Sequence, residues 1–171
     1  MQNIIETNIY GTDINRESTE ISKLSLFLKL ASKERKLIGL GKNIVRGNSL
    51  VDDKEVDPNS ISWEDEFPEI ISPLIENHGF DIIVGNPPYV FAREKIGPKQ
   101  KEFFTKNYET SEYQANTYIL FIEKSIKLLR KGGVMGFIVP ETWLKIESAT
   151  KLRKFMLENT FIKKIVHRVE F

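Results

Sequence analysis

The chain has 171 residues, 40% of them hydrophobic and 29% charged, with a formal net charge of +1. These values suit one ordinary globular domain or part of a larger one, and they exclude a histone-like polycation and an acidic disordered tail. The neutral total conceals an asymmetry. Residues 1–80 carry 14 acidic and 9 basic side chains, net −5, whereas residues 81–171 carry 10 and 16, net +6. A segregated basic half points to a polyanionic partner. Cysteine is absent, so neither a disulfide framework nor a thiolate metal site is possible. The first residues, Met1 to Glu6, lack a basic-then-apolar signal pattern, and no apolar run approaches the length of a membrane span. The expected setting is cytoplasmic, with no membrane partner and no metal.

In chain order, Ile4-Ile5 and Ile9-Tyr10 predict a short strand region ending at Gly11. A helix is expected over 16–32, with Ile21, Leu24, Leu28 and Ala31 on its inner face. A second short strand is predicted at Asn43–Arg46. Residues 52–69 carry eight acids and one base and predict a loop or surface insertion, extended to residue 78 by a helix over 69–77. Phe80-Asp81-Ile82-Ile83-Val84, bounded by glycines, has the pattern of a buried parallel strand. A basic loop is expected over 91–115 and a helix over 117–130 capped by Gly132-Gly133. A strand at 134–139, a helix at 148–158 burying Leu152, Phe155 and Met156, and a last strand at 161–166 complete the reading. Alternating strands and helices predict an α/β domain with a parallel sheet and helices on both faces.

Ligands of such sheets bind at the carboxyl ends of strands. Asp13, Asn48 and Asn86-Pro87-Pro88-Tyr89 stand at three such ends. The last carries the chemistry. Two successive prolines fix φ and remove two backbone donors, so the carbonyls of Asn86 and Pro87 are not consumed by a ladder. The Asn86 side chain adds an amide oxygen. A cluster of acceptors suits an exocyclic –NH₂: it takes the amine protons, draws the nitrogen toward tetrahedral geometry and frees its lone pair. Tyr89 can stack on the ring bearing the amine.

Asn86-Pro87-Pro88-Tyr89 resembles the Asn/Asp-Pro-Pro-aromatic motif of adenine-specific amino-methyltransferases of restriction–modification systems, including chains that fuse a nuclease to a methylase. The resemblance extends to Ile9–Asn15, Ile44–Leu50, Trp63–Ile70, Leu120–Glu123, Leu128–Gly133 and Ile138–Leu144, nearly the whole chain. It implies the three-layer Rossmann-like fold of the class I methyltransferases, S-adenosylmethionine as cofactor, and double-stranded DNA with a flipped adenine as substrate. Asn86 and the Pro87 carbonyl would hold the target amine, with Pro88 shaping the turn and Tyr89 stacking on the base. Asp13 would accept from the cofactor ribose, or cap the following helix. Ile14 would pack on the cofactor adenine, or belong to the core. Asn48, with Ser49 beside it, would meet the adenine edge, or form a turn. Asp81 reads as structural, and His78 and His167 as surface residues. Related enzymes methylate RNA or a protein glutamine through the same motif, and a non-catalytic interaction module is a further alternative.

The resemblance also implies a Phe-x-Gly-x-Gly strand turn and a C-terminal hairpin, neither of which is found. The chain is therefore expected to be the middle of a methyltransferase domain, a part of a longer restriction–modification enzyme, weakly active alone and prone to pair with a second copy through exposed sheet edges.

Overall fold

The computed structural model describes residues 2–30, 40–89, 96–112 and 116–167. They form two compact units, the first over residues 1–68 and the second over 69–171.

In the first unit, helix α1 (Gln2–Asn8) precedes strand β1 (Gly11–Asp13) and helix α2 (Arg16–Leu30). A 3-10 turn (Leu40–Lys42) leads into strand β2 (Ile44–Arg46). Strands β1 and β2 pair in parallel, Thr12 opposite Val45. The predicted strand at Ile4-Ile5 is instead helical. Asn43 Nδ2 explains why the helix ends where it does: it donates to the carbonyls of Glu6 (2.8 Å) and Ile9 (3.0 Å), satisfying oxygens that a helix terminus leaves open.

Helix α2 lies where its periodicity predicts, but its buried side differs. Thr19 is buried and Leu26 and Phe27 half-buried, whereas Ile21, Leu24 and Leu28 are exposed; Ala31 lies outside the described residues. The acidic segment is irregular over residues 52–62, and apolar residues at its edges are buried. Leu50, Val51 and Ile61 are buried, Ile61 N–H donates to the Val51 carbonyl (3.1 Å), and short helices α3 (Trp63–Glu66) and α4 (Pro68–Ile71) follow. Its carboxylates remain outside except Asp57, which is buried and accepts from Asn48 Nδ2 (2.8 Å) and Asn59 N–H (2.8 Å). Apolar residues between the acids decide the outcome, since they bury surface while the charges stay in water.

The second unit contains strand β3 (Phe80–Gly85), helix α5 (Pro98–Asn107), helix α6 (Thr117–Leu128), strand β4 (Leu129–Phe137), 3-10 turns at Glu141–Leu144 and Glu147–Ala149, and helix α7 (Thr150–Asn159). Strands β3 and β4 run parallel, Ile83 opposite Met135 and Gly85 opposite Phe137. One face of this pair, including Met135 and Phe137, packs on Tyr118, Ile119 and Ile122 of α6 and Leu152 and Met156 of α7. The other face is open: Ile82, Val84 and Ile138 are 67%, 75% and 71% exposed. Among the described residues of this unit, helices cover one face of the pair. The described strands form two separate two-stranded parallel sheets, so the observed class is mixed α/β.

Three further differences have local causes. The basic segment contains α5, opened by Pro98 at its first turn, where the missing N–H costs nothing. Gly132-Gly133 does not cap α6; β4 begins at once, and Gly132 adopts a positive φ of 80° inside it. The pair makes a bulge, because the register advances unevenly between Phe80–Leu129 and Ile82–Val134. Residues 161–166 form no strand among the described residues; Phe161, Ile165 and Val166 are exposed, while Ile162 packs on the core of α6 and α7.

Gly79 has φ 111°, and a Cβ there would lie 2.5 Å from the Arg130 nitrogen and 2.8 Å from the Leu128 carbonyl. Gly79→Ala is expected to cost about 3 kcal/mol from backbone strain and overlap, whereas Gly41→Ala, with open space around it, should change stability by less than about 0.5 kcal/mol. Urea melts of the two variants check this.

Candidate active site

Strand β3 delivers Asn86 to the sheet end. The ladder runs one step past it, Ile138 N–H donating to the Gly85 carbonyl (3.1 Å), so the chain is anchored immediately before the motif. Pro87 is buried while Asn86, Pro88 and Tyr89 are exposed. The carbonyls of Asn86 and Pro87 accept no hydrogen bond among the described residues, as the two prolines predict.

Three contacts hold the motif from outside. Thr117 Oγ1 donates to the Pro88 carbonyl at 2.7 Å. The Tyr118 ring stands edge-on to Tyr89, centroids 6.1 Å apart at 82°. The Tyr89 hydroxyl reaches both Asn86 Oδ1 (2.5 Å) and the Ile138 carbonyl (3.0 Å). It has one proton for two acceptors, so the bond to Asn86 is one that an incoming donor can replace. Burial pushes the Tyr118 phenol up, so it stays neutral at physiological pH. Sequence reasoning missed Thr117, Tyr118 and Ile138, because contacts 29 and 49 residues away leave no local signal.

This site sits within a chain that matches the Eco57I restriction-modification methylase family over residues 7–170. The chain belongs to that family. It is 35% identical, over 92% of its length, to the type II restriction enzyme and methyltransferase RM.Eco57I of Escherichia coli. It is 32% identical over 60% of its length to the type II methyltransferase M.TthHB8I of Thermus thermophilus, and 31% over 78% to M.BstVI of Geobacillus stearothermophilus. It spans only 16%, 26% and 22% of those proteins respectively.

In this family member the candidate cofactor residues lie in the first unit. Helix α2 is capped by Asn15, whose Oδ1 accepts from Ser18 N–H (2.9 Å). Asp13 is therefore not the cap. Its Oδ1 accepts from Asn15 N–H (2.7 Å), and its second oxygen takes no bond among the described residues. The neighbouring Ile14 is 55% exposed. Asp13 thus keeps a carboxylate oxygen exposed beside an exposed apolar side chain. Asn48 and Ser49 are engaged internally. Asn48 Oδ1 accepts from Leu50 N–H (3.1 Å) while its amide nitrogen donates to Asp57. The Ser49 hydroxyl bonds Thr12 Oγ1 (2.7 Å), and its carbonyl accepts from Trp63 Nε1 (3.1 Å). Both hold the loop after β2.

Beyond the motif, Phe104 and Tyr108 are buried against one another, centroids 5.8 Å apart, and so anchor α5. Lys99, Lys101 and Lys106 remain exposed on it. Asp81 pairs with Arg130 at the start of β3 (2.5 Å), His78 Nδ1 meets the Ile75 carbonyl (3.3 Å), and His167 pairs with Glu141; none touches the motif. No helix among the described residues is long and apolar enough to cross a membrane.

Proposed function

We propose that this chain carries the transfer site of an adenine-specific DNA methyltransferase that uses S-adenosylmethionine, acting in the cytoplasm as part of a longer restriction–modification enzyme. The observation that carries the reading is the acceptor cluster after β3: the side chain of the exposed Asn86, held only by the Tyr89 hydroxyl, and two backbone carbonyls that accept no hydrogen bond among the described residues. Family membership and the exposed lysines of α5 support DNA as the polyanion. The same reading carries the three-layer Rossmann-like methyltransferase fold.

The target adenine, turned out of the duplex, donates its two amine protons to Asn86 Oδ1 and the Pro87 carbonyl, displacing the Tyr89 hydroxyl from Asn86. Tyr89 then stacks on the base, and Pro88 keeps the turn rigid. Polarised by two acceptors, the nitrogen presents its lone pair in line with the donor methyl. When bound, S-adenosylmethionine would supply an electrophilic methyl on its sulfonium, while Asn86 and the Pro87 carbonyl would hold the accepting amine, whose proton would leave to solvent. Asp13 would hold the cofactor ribose and Ile14 the adenine ring, with Asn48, and Ser49 beside it, at the adenine edge.

Incubation with labelled S-adenosylmethionine and DNA, RNA or protein acceptors tests this. Label in the adenine amine of DNA is expected. With the longer enzyme that carries this chain, label confined to RNA or protein, or no cofactor binding by calorimetry, rejects it. Two Tyr89 variants separate ring from hydroxyl. Tyr89→Ala should lower transfer by about 5- to 150-fold, the ~1–3 kcal/mol of a lost stacking platform, while Tyr89→Phe should stay within about threefold of wild type.

A further inference from the structure

We propose that Thr117 is a positioning residue for methyl transfer: its hydroxyl, donated to the Pro88 carbonyl, sets where Asn86 and Pro87 present their acceptors. The inference rests on the amine-methylation reading above.

The two prolines lock φ at positions 87 and 88. What remains free is the rotation of each peptide plane that follows, at Asn86, Pro87 and Pro88. The strand end pins the near side through the Ile138 N–H bond to the Gly85 carbonyl. Thr117 pins the far side, at 2.7 Å. With both ends held, the acceptors between them have a fixed direction and pay no ordering cost when an amine arrives.

The anchor itself cannot drift. Thr117 opens α6 and is buried, as are Tyr118 and Ile119 after it. A helical threonine commonly spends its hydroxyl on its own helix; here it reaches a turn 29 residues earlier. The N-cap position belongs to Asn116, whose side chain makes no capping bond. The next residue repeats the arrangement, Tyr118 meeting Tyr89 edge-on. Consecutive residues of α6 thus hold consecutive residues of the motif, 117 on 88 and 118 on 89.

Valine and serine variants separate the hydroxyl from packing. Thr117→Val keeps the shape and removes the donor; Thr117→Ser keeps the donor and removes a methyl. On the full chain, Thr117→Val should lower the transfer rate at saturating cofactor and DNA by about 10- to 100-fold, the scale of a misplacement near 1 Å. The KM for S-adenosylmethionine should hold, and Thr117→Ser should restore the rate to within about twofold. In asparagine-labelled protein, the Asn86 side-chain amide resonances should move in Thr117→Val and stay in place in Thr117→Ser. Unmoved resonances in Thr117→Val, or equal impairment of both variants, overturn the proposal. If wild type transfers no methyl at all, the functional reading fails, and the resonances still decide whether Thr117 positions Asn86.

Discussion

Glu123→Ala is expected to destabilise the second unit by about 3–5 kcal/mol. Glu123 lies on α6 with no solvent exposure. Its carboxylate accepts from Thr110 N–H (2.8 Å) and Glu109 N–H (3.1 Å) and pairs with Lys127 at 2.6 Å. Removing it orphans two backbone donors, Thr110 being fully buried, and each bond to a charged acceptor contributes about 1.5–3 kcal/mol. Lys127 loses less, because it is partly in water and also meets Glu109 at 3.3 Å. The same group sets a pH dependence. Burial pushes the Glu123 carboxyl up, but Lys127 and the Thr110 and Glu109 bonds outweigh it, so the net direction is below the ordinary glutamate value. A depressed carboxylate contributes stability that is complete above the unfolded pKa and is lost as pH falls through the folded one. Urea midpoints should therefore drop for wild type as pH is lowered beneath the ordinary glutamate range, and drop less for Glu123→Gln. Parallel curves for the two proteins would show that Glu123 is not the group responsible.

Asn86→Ala should lower methyl transfer by about 10²–10³-fold, the usual scale for removing one preorganised hydrogen-bonding group from a reacting centre. Stability should change by less than about 0.5 kcal/mol, because Asn86 is exposed. Asn86→Asp retains an oxygen acceptor at the same place and should keep a measurable fraction of the rate. Labelled-methyl transfer with matched near-ultraviolet circular dichroism spectra checks both. A full rate in Asn86→Ala would remove the amide from the reaction and leave the backbone carbonyls to act alone.

The reach of the sequence differs from element to element. β3 was legible as a parallel strand, because β-branched residues between glycines favour one; its expected burial was not met, since Ile82 and Val84 are exposed. α7 was legible because Leu152, Phe155 and Met156 recur at helical spacing, and all three are buried. α2 was placed well but its inner face was not, since Ile21, Leu24 and Leu28 make a sound apolar stripe that the short β1–β2 pair does not cover. The Gly132-Gly133 pair misled because a glycine after a helix reads as a cap, whereas its positive φ serves a bulge against Phe80. Glu123 left a signal that went unread: a carboxylate inside an apolar helical run needs donors waiting for it.

The charge asymmetry belongs to the same division. The basic excess over 81–171 is a property of composition, and the sequence alone placed it after the motif. That α5 carries lysines outward while Phe104 and Tyr108 hold it inward is a matter of packing. The residues Asn86-Pro87-Pro88-Tyr89, their place after a strand and their freedom from the ladder were determined by the sequence itself, because proline removes donors wherever it stands. Only the tertiary structure decided what steadies them. Thr117, Tyr118 and Ile138 lie 29 to 49 residues beyond, and contacts at that separation follow from how α6 and β4 pack, which no local pattern of residues encodes.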